Sequence, residues 1–131
     1  MIPLFVNGIL NKTPVYINGD GEQTRDFTYI QNAVQVNVKG MLSIDQKAMN
    51  QINKVAVGEQ ISVKHLDRAV QASLKSEHQP TYREPRAGDI KNSLADISLA
   101  KQLLGYEPSV KFEEGLKETI DFFKNQYENK P

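Results

Sequence analysis

Apolar positions along the chain recur with two different periods, and the alternation between them predicts a mixed α/β order of elements. Ile2, Phe5, Ile9 and Leu10 fall at helical spacing behind Pro3. No residue before Met1 could cap such a helix, so the chain is expected to begin inside an element. Val15 to Ile17 reads as a short strand, closed by Gly19-Asp20-Gly21, residue types that tolerate the positive φ of a tight turn. Asp26 to Ile30 is aromatic and β-branched and reads as a second strand. From Asn32 the period becomes helical, with Val34, Val38 and Met41 or Leu42 as the expected buried stripe. That helix should stop near Ser43 to Asp45, with a brief helical turn around Gln46 to Gln51.

Further along, Val55 and Val57 share one face of a third predicted strand, ended by Gly58. Ser62 is a good N-cap for a helix carrying Leu66, Val70 and Leu74 at i, i+4 intervals. Residues 81–92, "TYREPRAGDIKN", have no helical period and hold a proline and a glycine, so an extended loop is expected there. Asp96 is placed to cap "ISLAKQLLG", with Gly105 as its C′ residue and Pro108 just beyond. The clearest pattern is the last, where Phe112, Leu116, Ile120, Phe123 and Tyr127 lie on one helical face.

At 131 residues, the chain is expected to form a single domain, residues 1–131, burying roughly two-thirds of its unfolded surface. Sixteen basic residues balance sixteen acidic ones. No global field would draw the protein to nucleic acid or to an anionic membrane, so any anion site has to be local. No stretch reaches the roughly 18 apolar residues of a membrane span, and the start lacks the marks of a signal peptide. A cytoplasmic location is the expectation. With no cysteine, disulfides, thiolate metal sites and cysteine nucleophiles are excluded.

Several chemistries fail on spacing. His65 and His78 have no second ligand pair at helical spacing, so zinc is not expected and both are read as solvated. Asn18, Asp20 and Glu22 imitate the start of a calcium loop, but its twelfth position is Tyr29 instead of a bidentate glutamate. The lone Gly-X-Gly precedes polar residues and a strand, so it opens no helix for a dinucleotide. Two arginines remain. Arg25 follows the tight turn; Arg86 sits in "RAGD", where Ala87 and Gly88 allow close backbone approach. Converging guanidinium groups would clamp a pyrophosphate bidentately. The plainer alternative pairs Arg25 with Asp26 or Glu22 at the surface, and Arg86 with Asp89 or Glu84.

The stretches "VYINGDGEQTRDFTYI", "KVAVGEQISVKHL" and "YREPRAGDIKNSLADISLAKQLLGYEPSVKFEEGLKETIDFF" resemble the C-terminal half of an extended short-chain dehydrogenase/reductase. Within the NAD-dependent epimerase/dehydratase family they are most similar to bacterial UDP-N-acetylglucosamine 4-epimerases. The resemblance implies an α/β substrate-binding subdomain of few short strands and several helices, with the NAD-holding Rossmann domain N-terminal to it and absent here. It implies a UDP-sugar as partner. Uracil would meet backbone groups around Tyr16, Ile17 and Asn18; Arg25 and Arg86 would hold the diphosphate; Asp89 would accept from the ribose hydroxyls. Ser93 matches a position whose size is associated with room for an N-acetyl group, and a serine there favours the acetylated sugar.

The chain departs from that family in lacking the glycine cradle and the catalytic Tyr-x-x-x-Lys. Tyr16, Tyr29, Tyr82, Tyr106 and Tyr127 are followed four residues on by Asp20, Ala33, Arg86, Val110 and Pro131. A lysine beside the phenol is needed to lower its pKa for proton transfer while hydride moves to NAD. The expectation is therefore a nucleotide-sugar binding portion of a 4-epimerase, with no cofactor of its own and no catalysis alone. The alternatives are a standalone binding or assembly module, or the substrate half of a dehydratase or reductase. Helix faces left without the absent domain are expected to drive dimerisation or domain swapping, or to leave a marginally stable monomer.

Overall fold

The computed structural model describes residues 1–129; Pro131, used above in the search for a Tyr-x-x-x-Lys, lies outside them. In chain order the elements are helix α1 (Ile2–Leu10), strand β1 (Tyr16–Asn18), strand β2 (Thr24–Arg25), helix α2 (Ile30–Leu42), a 3-10 turn (Gln46–Ala48), strand β3 (Ile61–Ser62), helix α3 (Val63–Leu74), strand β4 (Thr81–Arg83), helix α4 (Ser98–Leu104) and helix α5 (Phe112–Glu128). Two short ladders join them. β1 runs parallel to β4 with Ile17 opposite Tyr82, and β2 runs antiparallel to β3 with Arg25 opposite Ile61.

The larger core lies where α1, α3 and α5 pack together over β1. Phe5 and Val6, Val15 and Ile17, Leu66 and Val70, and Leu116 and Ile120 fill it. Phe5, Leu66, Val70, Leu116 and Ile120 belong to the predicted helical stripes, Val15 and Ile17 to the predicted strand, and Val6 to neither; two of the three expected caps also form as predicted. The Ser62 hydroxyl accepts from the His65 amide at 3.1 Å, and Gly105 closes α4 with φ of 57°. Asp96 acts one residue earlier than predicted, accepting from the Ser98 amide at 3.0 Å while Ile97 occupies the N-cap. A second, smaller core joins α2 and α4 through Val36, Ile97, Ala100 and Tyr106. Gly115 lets α5 approach the chain entering α2, since a Cβ there would lie 2.7 Å from Tyr29 Cβ.

Several expectations are corrected. The aromatic run does not form a strand: β2 stops at Arg25, and α2 begins at Ile30 after an extended link. On α2 the predicted stripe is the exposed one, with Met41 and Leu42 at 85% and 75% exposure, while Asn32 and Val36 are buried. No other described element covers the Val34–Val38 face. Buried Asn32 instead ties α2 to the entry of α5: its Nδ2 donates to Val110 O at 2.7 Å, and its Oδ1 accepts from the Ser109 and Val110 amides at 3.0 Å each.

Val55 to Val57 is not a strand either, because among the described residues no strand lies alongside to pair with it. Side chains satisfy this backbone instead. The Asp26 carboxylate accepts from the Val57 and Gly58 amides at 3.1 and 3.0 Å, and the Tyr106 hydroxyl donates to Ala56 O at 2.8 Å. Burial, reinforced by Asp26, raises the pKa of that phenol. Residues 81–83, expected to be loop, form β4. His78 is only partly exposed and its Nε2 is covered, contrary to the solvated reading. Among the described residues no helix is long and apolar enough to cross a membrane.

Candidate functional site

An open cleft of about 670 Å³ lies at the C-terminal ends of the paired strands β1 and β4, between residues 18–23 and residues 82–91. Its first wall is the turn that follows β1. Gly19 and Gly21 adopt φ of 71° and 79°, which an L side chain would strain. The Asp20 side chain accepts from the Glu22 amide at 2.9 Å, and Gln23 Nε2 donates to Asn18 O at 2.7 Å, so the turn is held from inside. Its outer side is held by the Lys64 amide, which donates to Gly21 O at 2.9 Å.

The second wall leaves β4 through Pro85 and turns at Arg86–Asp89, where the Asp89 amide donates to Arg86 O at 3.1 Å. Gly88 takes φ of 77° in this turn, and nothing lies within 4 Å of where its Cβ would be. Glycine therefore serves the backbone conformation here; the close approach expected from the sequence is not seen. β2 receives the loop's far end: the Thr24 amide donates to Lys91 O at 2.8 Å, and the Ser93 amide donates to Thr24 O at 3.2 Å.

Arg25 fastens the two walls together. One of its terminal nitrogens donates to Thr24 O and to Ile90 O, both at 2.7 Å, and the other meets Asp89 Oδ1 at 2.5 Å. Neither surface partner considered for it, Asp26 or Glu22, is used; Asp26 serves Val57 and Gly58, and Glu22 pairs with Lys64 at 3.2 Å. Arg25 keeps its Nε–H and one further N–H, and Asp89 keeps Oδ2. Arg86 lines the cleft and has no ion pair among the described residues, so neither Glu84 nor Asp89 neutralises it.

Of the residues singled out from the sequence, Asn18, Arg86 and Asp89 line the cleft. Arg25 stands behind it, in contact with Asp89. Ser93 is half-buried beside Thr24, outside the lining. Ile17 is in the core at 1% exposure. Val15 O and the Gly19 amide bond to β4, so alternation directs the Ile17 backbone to β4 too, while the Tyr16 and Asn18 backbone groups face the opposite edge. The sequence reading missed Arg83, Lys91 and Gln23. For Arg83 the available signal was its parity: it lies in register with Asn18 and so shares the outer face of the sheet with Tyr16.

Short strands among several helices, with an open cleft at the strand ends, place the chain in the α/β class, and the fold is that of the C-terminal subdomain of extended short-chain dehydrogenase/reductases. A sequence profile described as GDP-mannose 4,6 dehydratase matches residues 1–119, and the chain belongs to that family. Over 127 residues it is 33% identical to a UDP-glucuronate 4-epimerase of Thermodesulfobacterium geofontis, covering 95% of this chain and 38% of the relative. It is also similar in structure to a UDP-N-acetylglucosamine 4-epimerase from Methanobrevibacter ruminantium in complex with UDP-N-acetylmuramic acid. There the TM-score is 0.87 and the identity 37%, over 96% of this chain and 39% of the other. A UDP-glucuronic acid 4-epimerase from Bacillus cereus, in complex with UDP-glucuronic acid and NAD, matches with TM-score 0.89 and 28% identity over 96% of this chain and 40% of the other. The chain thus spans about 39% of the length of the relatives it matches.

Proposed function

We propose that this chain is a single unit that forms the nucleotide-sugar binding portion of a UDP-N-acetylglucosamine 4-epimerase-like enzyme. The observation that carries the reading is the fastening of two loops, 64 residues apart in sequence, by Arg25 and Asp89 beside an unneutralised Arg86. Arg86 offers a planar, permanently charged fork to the diphosphate. Arg25 fixes the loop carrying Arg86 and adds its remaining N–H groups. Asp89 Oδ2 accepts from the ribose hydroxyls. The β1 edge away from β4 offers the Tyr16 backbone groups and the Asn18 amide to the polar edge of uracil, Asn18 O being held by Gln23, and small Ser93 leaves volume for an acetamide.

Gly19 and Gly21 shape a turn into β2 and do not open a helix, and on this reading the chain's own contribution is to bind and orient the substrate. Titration with UDP tests the reading. Saturable binding that falls at least tenfold in Arg86→Ala supports it, and UDP-N-acetylglucosamine should lose its advantage over UDP-glucose in Ser93→Tyr. The exposed apolar face of α2 favours a second reading, an assembly module without ligand; that module would show no saturable response to UDP.

A further inference from the structure

Arg83 is held in an unusual way. Its guanidinium carbon lies 3.1 Å from the centroid of the Tyr16 ring, a face-on cation–π stack across the β1–β4 ladder. It makes no ion pair among the described residues. Arg83 borders the cleft, whereas Tyr16 does not. One face of the guanidinium is therefore covered by the phenol ring, and the arginine is held flat at the cleft wall.

We propose that the Arg83–Tyr16 stack is the platform on which the nucleotide base lies, with Arg83 in contact and Tyr16 as its positioning residue; this rests on the nucleotide reading above. A guanidinium is weakly hydrated on its faces and stacks on any planar π system, so its second face suits a base. A phosphate would instead need its N–H edge. The neighbouring charges agree with this division. Arg83, Arg86 and Lys91 line the cleft with Asp20, Glu84 and Asp89, so its charges balance, and a neutral base is accommodated at Arg83 while the diphosphate lies toward Arg86. Arg86 is three residues further on, at most about 10 Å of extended chain, a distance that a ribose and its 5′-phosphate bridge. The free β1 edge beside the stack supplies backbone groups for the polar rim of the base.

The test compares UDP with inorganic pyrophosphate, which has no base, in amide chemical-shift titrations of the full chain. Arg83→Lys keeps the charge and loses the flat face. The wild type should bind UDP more tightly than pyrophosphate. Arg83→Lys should weaken UDP five- to thirtyfold and pyrophosphate less than twofold, and Tyr16→Leu should weaken UDP by a smaller factor. In the wild type, UDP but not pyrophosphate should move the Arg83 Nε–H resonance upfield, a ring-current effect that a purely structural role would not produce. If Arg83→Lys binds UDP as the wild type does, or both ligands weaken equally in Arg83→Gln, Arg83 is a simple charge and the platform is refuted while the diphosphate site stands. If the wild type binds neither ligand, the nucleotide reading falls, and the platform with it.

Discussion

Arg25→Lys separates a residue that fastens the cleft from one that grips the ligand. The guanidinium reaches Thr24 O, Ile90 O and Asp89 at once, and a lysine ammonium, being a single donor point, keeps the Asp89 contact alone. Of the two hydrogen bonds lost, the one to Thr24 O lies within β2 and only the one to Ile90 O tethers the 86–93 loop; it is worth about 1 kcal/mol net because water can replace the donor. Local opening of that loop should then become easier by about 1 kcal/mol, a roughly fivefold rise in its open population. Native-state hydrogen exchange reads this at the Thr24, Asp89 and Ser93 amides, whose acceptors are Lys91 O, Arg86 O and Thr24 O. Exchange at these three should quicken about fivefold, with Val70 in the core of α3 unchanged. Unaltered exchange at Thr24 and Ser93 together with a clear loss of UDP affinity would refute the fastening role, leaving Arg25 as a direct ligand contact.

Asn32→Leu should cost about 3 kcal/mol, because Val110 O and the Ser109 and Val110 amides lose their buried partner; an unfolding free energy, extrapolated linearly from urea, within about 1 kcal/mol of wild type would contradict this. Burial holds the Asp67 carboxyl above its ordinary pKa, against smaller opposing effects from Gln71, His78 and Arg68. The folded state therefore binds that proton more tightly than the unfolded chain, and stability is lost as pH rises through the raised value. Asp67→Asn should raise the urea midpoint at neutral pH and lose that gain in acid below the ordinary carboxylate range; equal gains at both would show the effect is not ionisation. The apolar face of α2 should make the chain self-associate as concentration rises, and Val38→Glu with Met41→Glu should keep it monomeric by light scattering. Identical mass for both proteins across the concentration range would remove that face from consideration.

The parts of this fold legible in the sequence are those decided locally. Leu66, Val70, Leu116 and Ile120 announce α3 and α5 because each helix fills its own i, i+4 stripe, and Ser62 and Gly105 mark helix ends whose geometry involves only a few residues. What misled was decided at a distance. Val55 to Val57 has strand composition, yet a strand requires a neighbour, and here Asp26 and Tyr106 take over its backbone. The α2 stripe has the right period but no described element to cover it, so the buried side is the one where Asn32 finds partners. In the site, residue types pointed to Arg25 and Arg86, and the family resemblance added Asp89. Periodicity could not show that Arg25 would reach across to Asp89, nor that Arg83 would lie over Tyr16, because the first contact joins segments remote in sequence and the second depends on a ladder of three residue pairs between such segments.

That ladder has a kinetic consequence. The contacts that bring the cleft walls together join residues 64 and 65 apart in sequence, and closing a loop of that length costs roughly 4 kcal/mol of chain entropy before any of them is gained. Helices α1, α3 and α5 can form from local contacts, whereas β1 and β4 have to wait for α2 and α3 to be placed between them. The cleft is therefore expected among the last features to appear during refolding, in step with the parallel pairing. A peptide spanning either wall alone would carry the right residues and never assemble the site.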